Sequence, residues 1–291
     1  MAAVPGEPIE FAASDGRRLA GRWWQGARAS ERTALFLPGI AAPQQYLRWF
    51  AGHLAGCGWG VLTFDYRSVG GSREGADESA TLDDWTNLDL PAASAEAIRR
   101  GGAARLIALA HSIGGQLLGQ SPALPTFRAA LLISAQRGMP RLYSRKAYLQ
   151  VLYAYTVFPL LIRLTGSLPV SRFTLPEHCS GRALLQWVRW GKTGVFTSEQ
   201  GENLEPRYAR FTGPLIALTV ADDADFAPAP AVEALTRLYT GARVSRGTLV
   251  PADYGLPRLG HFGFFHPRAP KALWEKAETW LEELDGVSSG G

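Results

Sequence analysis

A serine flanked by small residues lies where an apolar segment meets a helical pattern, and a serine in that setting can act as a nucleophile. The apolar run Leu106–Ala110 is typical of a short buried strand, and the segment HSIGG with Ser112 follows it. A serine on a sharp turn between strand and helix forms a nucleophile elbow. Strand and helix pass closely there, so only small residues fit two positions before and after it, as Ala110 and Gly114 do. The turn exposes the Ser112 hydroxyl and directs the free N–H groups of the helix N-terminus at the attacked atom.

A nucleophilic serine needs a base, and the favoured candidate is a histidine near the C-terminus. His261 lies in the segment RLGHFGFFHP, on a loop after the last predicted strand, where Gly260 and Gly263 allow the imidazole to approach. The alternative, His266, stands directly before Pro267 at a turn that leads into a helix. The other histidines fit less well by position: His53, His111 and His178.

An acidic residue must orient that imidazole, and three aspartates follow the predicted strand Leu215–Val220 in the segment ADDADFAP. The usual spacing places the acid three residues after the strand, which selects Asp223. Asp225 is the alternative, since Pro228 lies one residue further along than usual, although Asp225 could instead cap the next helix. A buried carboxylate bonded to one imidazole nitrogen leaves the other nitrogen free to accept the serine proton.

Two backbone N–H groups are expected to hold the negative charge that develops on an attacked carbonyl oxygen. One belongs to Ile113, directly after the nucleophile, and the other comes from the loop after Pro38-Gly39. Ile40 is the first candidate for this second donor, and Ala41 is the alternative. Preformed donors of this kind are each worth about 3 kcal/mol of transition-state stabilisation.

These residues require a scaffold in which strands alternate with helices, and the hydrophobic pattern predicts one. A hairpin of Ile9–Ala12 and Leu19–Trp24 precedes repeated strand–helix units, which are typical of a mainly parallel sheet with helices on both faces. The predicted strands of these units are Ala34–Leu37, Val61–Phe64, Leu106–Ala110, Ala129–Ile133, Leu215–Val220 and Val244–Val250. The predicted helices are Tyr46–Ala55, Leu82–Arg100 with a kink at Pro91, Ala231–Tyr239 and Ala272–Leu284.

The stretch 135–213 interrupts this alternation and is predicted to form a helical cap over the sheet edge where ligands bind. The core of the fold is therefore expected to consist of 1–134 and 214–287, followed by a flexible tail at 288–291.

Inside the predicted cap, two short amphipathic helices are expected on either side of Pro159, and a further helix over Gly181–Arg189. The apolar segment around Pro159 resembles a membrane span in composition. Gln150, Pro159 and Arg163 interrupt it, so no transmembrane segment is predicted.

Composition excludes several classes of protein. The 291 residues are 46% hydrophobic and 19% charged, which fits an ordered globular protein large enough for one core with an insertion. The formal net charge is +4 and the arginines are dispersed, so no nucleic-acid partner is expected.

Cys57 and Cys179 lack metal-ligand spacing, which predicts reduced thiols and no metal site. The N-terminal segment MAAVPGEPIEF has no apolar signal core, which indicates a cytoplasmic protein.

Taken in order, the motifs resemble those of the α/β-hydrolase superfamily over nearly the whole chain. The residues that carry the resemblance are Pro38-Gly39, Asp65-Tyr66-Arg67, Gly71-Ser72, Ser112, Asp223 and His261, with the late segment GHFGFF and the cap segment WVRWG. The chain is most similar to a bacterial branch of predicted α/β-hydrolases, related to serine-aminopeptidase-like and lysophospholipase-like hydrolases. Two positions depart from the usual pattern: Ala110 replaces the first elbow glycine and Pro38 replaces a histidine, and neither is a catalytic group.

The resemblance implies an α/β fold with an eight-stranded, mostly parallel sheet and a serine mechanism that needs neither metal nor cofactor. The expected function is hydrolysis of a carboxylic ester or related acyl bond through a Ser-His-Asp triad and a covalent acyl-enzyme. The aromatic-rich cap favours a small apolar or aromatic acyl compound as substrate. Assembly into a homo-oligomer is left open.

Other functions are compatible with the same fold. An acyltransferase would use the same triad with an alcohol or thiol in place of water, and a cofactor-free haloperoxidase-like activity would use it too. A lipid hydrolase acting at a membrane surface would use the cap as its contact. A non-catalytic ligand-binding protein would keep the fold but would have no need of Ser112 and His261 together.

Overall fold

A computed structural model describes residues 5–26, 32–74, 79–102, 106–168 and 177–286 of the chain. It contains eight strands: β1 Glu7–Ala12, β2 Arg18–Trp24, β3 Thr33–Leu37, β4 Gly60–Phe64, β5 Leu106–His111, β6 Ala129–Ile133, β7 Pro214–Val220 and β8 Arg243–Leu249. All eight belong to one sheet with the order β1-β2-β4-β3-β5-β6-β7-β8. The predicted flexible tail, 288–291, lies outside the described residues.

The sheet is antiparallel at one edge and parallel elsewhere. Strand β2 pairs antiparallel with both β1 and β4, and the other neighbouring strands pair parallel to each other. The predicted eight-stranded, mostly parallel sheet is therefore confirmed. The carboxyl ends of β3, β5 and β7 meet at the same edge, which brings together the loops that follow them.

Helices cover both faces of this sheet, as the sequence predicts. The helices are α1 Arg48–Gly56, α2 Leu82–Asp84, α3 Leu90–Gly101, α4 Ile113–Gln120, α5 Arg145–Thr165, α6 Gly181–Thr193, α7 Ala229–Thr236 and α8 Lys271–Gly286. Successive side chains of β5 point to opposite faces: Ala108 packs in the cluster that includes α3 and α4, and Leu109 packs in the cluster that includes α1 and α8. Every residue of β5 is buried, because two apolar layers enclose it.

The residues between β6 and β7 form an insertion that contains α5 and α6. Helix α6 is tied to the start of α2 through the side-chain amide of Gln186. Its Oε1 accepts the Leu82 N–H at 2.9 Å, and its Nε2 donates to Asp83 Oδ1 at 2.6 Å. The same Nε2 donates to the Thr197 carbonyl at 3.2 Å. The extent of the insertion as a separate cap domain, 135–213, stays a prediction.

Helix α5 is continuous through Pro159, so the expectation of two short helices around this proline is wrong. A proline removes one backbone hydrogen bond, but packing on either side keeps the helix continuous. Tyr155 and Ile162, one turn before and after Pro159, are both buried. Among the described helices, α5 is long and apolar enough to cross a membrane by length and composition. The expected absence of a transmembrane segment stays a prediction.

The predicted helix Leu82–Arg100 is observed with one irregular turn. A π-helical turn, Trp85–Asp89, joins α2 to α3 and ends two residues before Pro91. The predicted kink at this proline stays a prediction.

The chain turns sharply between β5 and α4, and close packing determines the shape of the turn. Ser112 has φ +53° and ψ −120°, a backbone conformation that residues other than glycine rarely adopt. A Cβ on Gly114 would lie 2.3 Å from the Leu37 carbonyl oxygen at the end of β3. Glycine at 114 is therefore required on steric grounds, whereas the small side chain of Ala110 is accommodated in the core.

Adding one methyl group at Gly114 should destabilise the fold, because backbone of β3 cannot move aside as a side chain can. We expect Gly114→Ala to lower the free energy of unfolding by at least about 2 kcal/mol in urea denaturation. Gly56→Ala is the matched control, since a Cβ there meets nothing within 4 Å in helix α1. That control should leave stability unchanged or raise it by up to about 1 kcal/mol. Equal stability of the two variants would contradict the packing argument.

Candidate active site

The imidazole of His261 and the carboxylate of Asp223 are in direct contact. The distance from His261 Nδ1 to Asp223 Oδ2 is 2.6 Å, and both side chains are buried. Because an ionised carboxylate can only accept, Nδ1 must carry the hydrogen in this bond. In a neutral imidazole Nε2 is then the unprotonated nitrogen, which is the atom that can accept a proton.

The two candidate acids are clearly separated by their surroundings. Asp223 is buried against His261, whereas Asp225 is exposed and lies on the solvent side of the same loop. Asp225 does not cap the next helix either, since the residue before α7 is Pro228 and no side chain bonds to the helix end. The structure therefore brings Asp223, and not Asp225, to the imidazole.

A second aspartate, which the sequence analysis did not single out, holds the loop that carries the imidazole. The two carboxylate oxygens of Asp222 accept the backbone N–H groups of Leu259 and Gly260, each at 2.9 Å. Gly260 has φ +62°, a conformation suited to glycine. Two adjacent aspartates thus serve different parts of the same loop, one its backbone and the other its histidine. The adjacent pair Asp222-Asp223 in the sequence was the signal that could have indicated this second role.

His111, directly before the serine, packs behind His261. Its Nε2 lies 2.9 Å from the His261 carbonyl oxygen, and the two rings are 4.7 Å apart. A carbonyl oxygen can only accept, so Nε2 of His111 must carry the hydrogen. Burial lowers the pKa of His111 well below its ordinary value of 6.5, and the neighbouring His261 lowers it further. His111 is therefore a neutral support for His261.

Ser112 lies at the carboxyl end of β5 beside the loop that follows β3. Its backbone N–H donates to the Ile133 carbonyl at 3.1 Å, and its side chain is almost fully buried. A Cβ built on Gly39 would lie 3.0 Å from His111 Nδ1 and 3.5 Å from Ser112 Cβ. No hydrogen bond joins the Ser112 hydroxyl to His261 among the residues that the structure describes. Such bonds are often long before substrate binds.

Both predicted alternatives for the second oxyanion donor lie in the loop next to Ser112. Ala41 has φ +52° and is fully buried, and the Ala42 N–H closes the turn by donating to the Gly39 carbonyl at 3.2 Å. The N–H groups of Ile40 and Ala41 make no hydrogen bond within the described part of the chain. Either can therefore face a bound carbonyl together with the Ile113 N–H at the start of α4.

The carboxylate of Asp65 holds the end of this loop through hydrogen bonds. Its Oδ1 accepts the Gln44 N–H at 2.6 Å, and its Oδ2 accepts the Gly71 N–H at 2.9 Å. The Ser72 hydroxyl donates to the Asp65 carbonyl at 2.7 Å. Burial raises the pKa of the Asp65 carboxyl, while the hydrogen bonds from Gln44 and Gly71 oppose that rise. Asp65, Gly71 and Ser72 therefore hold the shape of these loops through hydrogen bonds.

Aromatic side chains surround the His261 imidazole. The ring of Phe226 stacks on it at 5.2 Å, and Phe262 meets it edge-on at 5.1 Å. Phe226 is half exposed, and its carbonyl accepts the hydroxyl of Tyr143 at 2.9 Å. Because Tyr143 belongs to the insertion and precedes α5, the insertion contacts the edge of this site.

One group of side chains in the described ranges has the composition of a metal site, and it lies elsewhere. His53 Nε2 is 3.8 Å from Cys57 Sγ and 3.7 Å from Glu278 Oε2, across the contact of α1 with α8. Cys57 follows the end of α1, just before β4 begins, and so lies at the opposite edge of the sheet from Ser112. Burial raises the pKa of its thiol to about 12. The expectation of no metal stays a prediction.

Comparison with known proteins agrees with the fold. A family model described as "Alpha/beta hydrolase family" matches residues 34–272. Among curated proteins, none matches the sequence significantly.

Solved structures of similar fold include three lipid- or ester-related proteins. A soluble variant of monoglyceride lipase from Saccharomyces cerevisiae has a TM-score of 0.70 at 14% identity, over 98% of this chain and 97% of that one. The Pyrococcus furiosus esterase Pf2001 has a TM-score of 0.60 at 15% identity, over 96% and 93%. A membrane phospholipase A has a TM-score of 0.61 at 16% identity, over 97% and 88%. Identities this low establish the fold and leave the substrate open.

Replacing His111 by glutamine should make folding less sensitive to acid. His111 stays neutral in the folded protein but takes up a proton in the unfolded chain, so the free energy of unfolding falls as pH drops below about 6.5. Glutamine can donate to the same carbonyl and does not titrate. Urea denaturation at several pH values should show His111→Gln losing up to about 1.4 kcal/mol less than wild type per pH unit.

The control for this prediction is His266→Gln, since His266 is an exposed histidine. Its pH dependence should match that of the wild type. Parallel pH profiles for wild type and His111→Gln would mean that His111 does not stay neutral.

Proposed function

This chain belongs to the alpha/beta hydrolase family, and on that premise we propose that it hydrolyses carboxylic esters through an acyl-enzyme on Ser112. The observation that carries the proposal is the 2.6 Å contact between His261 and Asp223, buried beside the strained turn of Ser112. A base, its orienting acid and a serine nucleophile are the groups that acyl transfer requires.

In the proposed reaction, Ser112 Oγ attacks the ester carbonyl while His261 Nε2 takes the hydroxyl proton. The N–H groups of Ile113 and Ile40, or Ala41 in its place, hold the tetrahedral oxyanion. The C–O bond to the alcohol breaks, and the alcohol leaves with the proton from His261. Water then attacks the acyl-enzyme by the same route, which releases the carboxylic acid and restores Ser112. Asp223 stabilises the imidazolium that forms in each half of the reaction.

The surroundings of the site favour an apolar or aromatic acyl group. Phe226 and Phe262 lie against the imidazole, and the insertion between β6 and β7, which contains Tyr143, is rich in apolar side chains. The neighbours named as monoglyceride lipase and esterase lend support to an ester as the scissile group. We therefore propose small or lipid-like carboxylic esters as substrates, with no cofactor.

A fluorophosphonate probe should label the wild-type chain at one site, because it reacts only with an activated serine. By intact-mass spectrometry we expect one adduct on wild type, none on Ser112→Ala, and labelling of His261→Ala slowed by about 10³-fold or more. Ser94→Ala is the matched control. Ser94 is a buried serine in α3 whose hydroxyl donates only to the Leu90 carbonyl, so this variant should label as wild type does. An adduct that persists on Ser112→Ala would overturn the proposal.

Paired asparagine substitutions should distinguish the two candidate acids. Asp223→Asn leaves the shape of the site but favours the wrong imidazole tautomer, so we expect kcat for p-nitrophenyl ester hydrolysis to fall by about 10³- to 10⁴-fold. Asp225→Asn changes an exposed residue of the same loop and should stay within about twofold of wild type. Equal losses in the two variants would contradict the assignment of Asp223.

A further inference from the structure

Helix α5 presents an apolar face that no described part of the chain covers. Of nine large apolar side chains that are strongly exposed among the described residues, six lie on this one helix. They are Tyr148, Leu149, Leu152, Tyr153, Leu160 and Leu164. Only 17% of the most apolar window of α5 is buried. Scattered exposed apolar residues are normal in proteins, but a contiguous patch marks an interaction surface.

The exposed residues form a stripe along the helix. Leu149, Tyr153, Leu160 and Leu164 follow one another at spacings of four, seven and four residues, which places them on one side. The stripe is about 22 Å long at 1.5 Å per residue. The opposite side is fully used, since Tyr155 is buried and its ring meets Trp187 of α6 at 5.3 Å. Contact with α6 therefore accounts for one face of α5 and leaves the stripe without a partner.

Positive charge lies at both ends of this stripe. Arg145 and Lys146 occupy the first turn of α5, Arg163 occupies the last, and all three are exposed. None of them is in a salt bridge with any described residue. The sequence contains no aspartate or glutamate between Glu96 and Glu177. The stripe and its flanks are therefore complementary to a surface that is apolar and negatively charged.

We propose that α5 lies flat on an anionic lipid surface. The stripe from Leu149 to Leu164 enters the boundary between headgroups and acyl chains, and the basic side chains at its ends contact lipid phosphates. Because one face of α5 packs on α6 and both of its ends are charged, the helix is suited to lie in the plane of the lipid surface and not to cross the bilayer. A second copy of the chain fits poorly, because antiparallel pairing of two α5 helices would oppose Arg145 and Lys146 with Arg163.

The surface is continuous with the candidate active site. Tyr143, two residues before α5, donates its hydroxyl to the Phe226 carbonyl, and the Phe226 ring stacks on His261. A chain docked through α5 therefore holds the entrance of the site near the lipid. On the proposed esterase function, this geometry favours esters that are dissolved in the lipid surface.

Vesicle flotation of the full-length Ser112→Ala chain tests the docking without depending on ester hydrolysis. We expect binding to vesicles of phosphatidylcholine mixed with phosphatidylglycerol, weakened by salt, and much weaker binding to phosphatidylcholine alone. The double variant Leu160→Gln/Leu164→Gln should bind at least tenfold more weakly, and Arg145→Gln/Lys146→Gln should lose most of the preference for phosphatidylglycerol. Val250→Gln, an exposed apolar residue outside α5, is the matched control and should bind as the parent does.

Three results would overturn the proposal. The first is no binding to the anionic vesicles, and the second is equal binding by the parent and the Leu160→Gln/Leu164→Gln variant. The third is a dimer in sedimentation velocity that the same two substitutions abolish, since it would assign the stripe to a second copy of the chain. Circular dichroism of each variant confirms that α5 and the rest of the fold remain intact.

Discussion

The close approach of α4 to β3 is the steric constraint on which the rest of the site depends. Gly114 leaves no space for a side chain against the Leu37 carbonyl oxygen, so the helix begins directly behind the serine. The same contact joins the first turn of α4 to the end of β3, from which the loop with both second-donor candidates continues. Gly39 in that loop packs on His111 and Ser112. Ser112, His111 and the loop after β3 are therefore held by the same packing contacts. These contacts also maintain the unfavourable backbone conformation of Ser112.

Carboxylates hold the irregular backbone around the site. Asp222 accepts two N–H groups of the loop that carries His261, and Asp65 accepts N–H groups from the loops at Gln44 and Gly71. Asp89 accepts the Arg67 N–H at 2.9 Å in the same way. Loop backbone has no strand or helix partner, so a carboxylate with two oxygens is an efficient acceptor for it. These three acids are thus used to hold backbone, whereas Asp223 bonds to the imidazole of His261.

Local patterns predict most of the fold and the principal site residues. Apolar runs mark buried strands because both faces of a parallel sheet are covered, and β6 begins and ends where its run does. The motif order also predicts the pairing of Asp223 with His261. The support from His111 could not be predicted, because it joins a ring to a carbonyl 150 residues away. Nor could the continuity of α5, since packing of Tyr155 and Ile162 outweighs the local effect of Pro159.

The attachment of α6 has a consequence for motion. The Gln186 amide bonds to Leu82 and Asp83, and both bonds would have to break for α6 to move away from α2. Helix α5 meets α6 through apolar contacts such as that of Tyr155 with Trp187. If the entrance of the site opens, we expect α5 to move and α6 to stay in place.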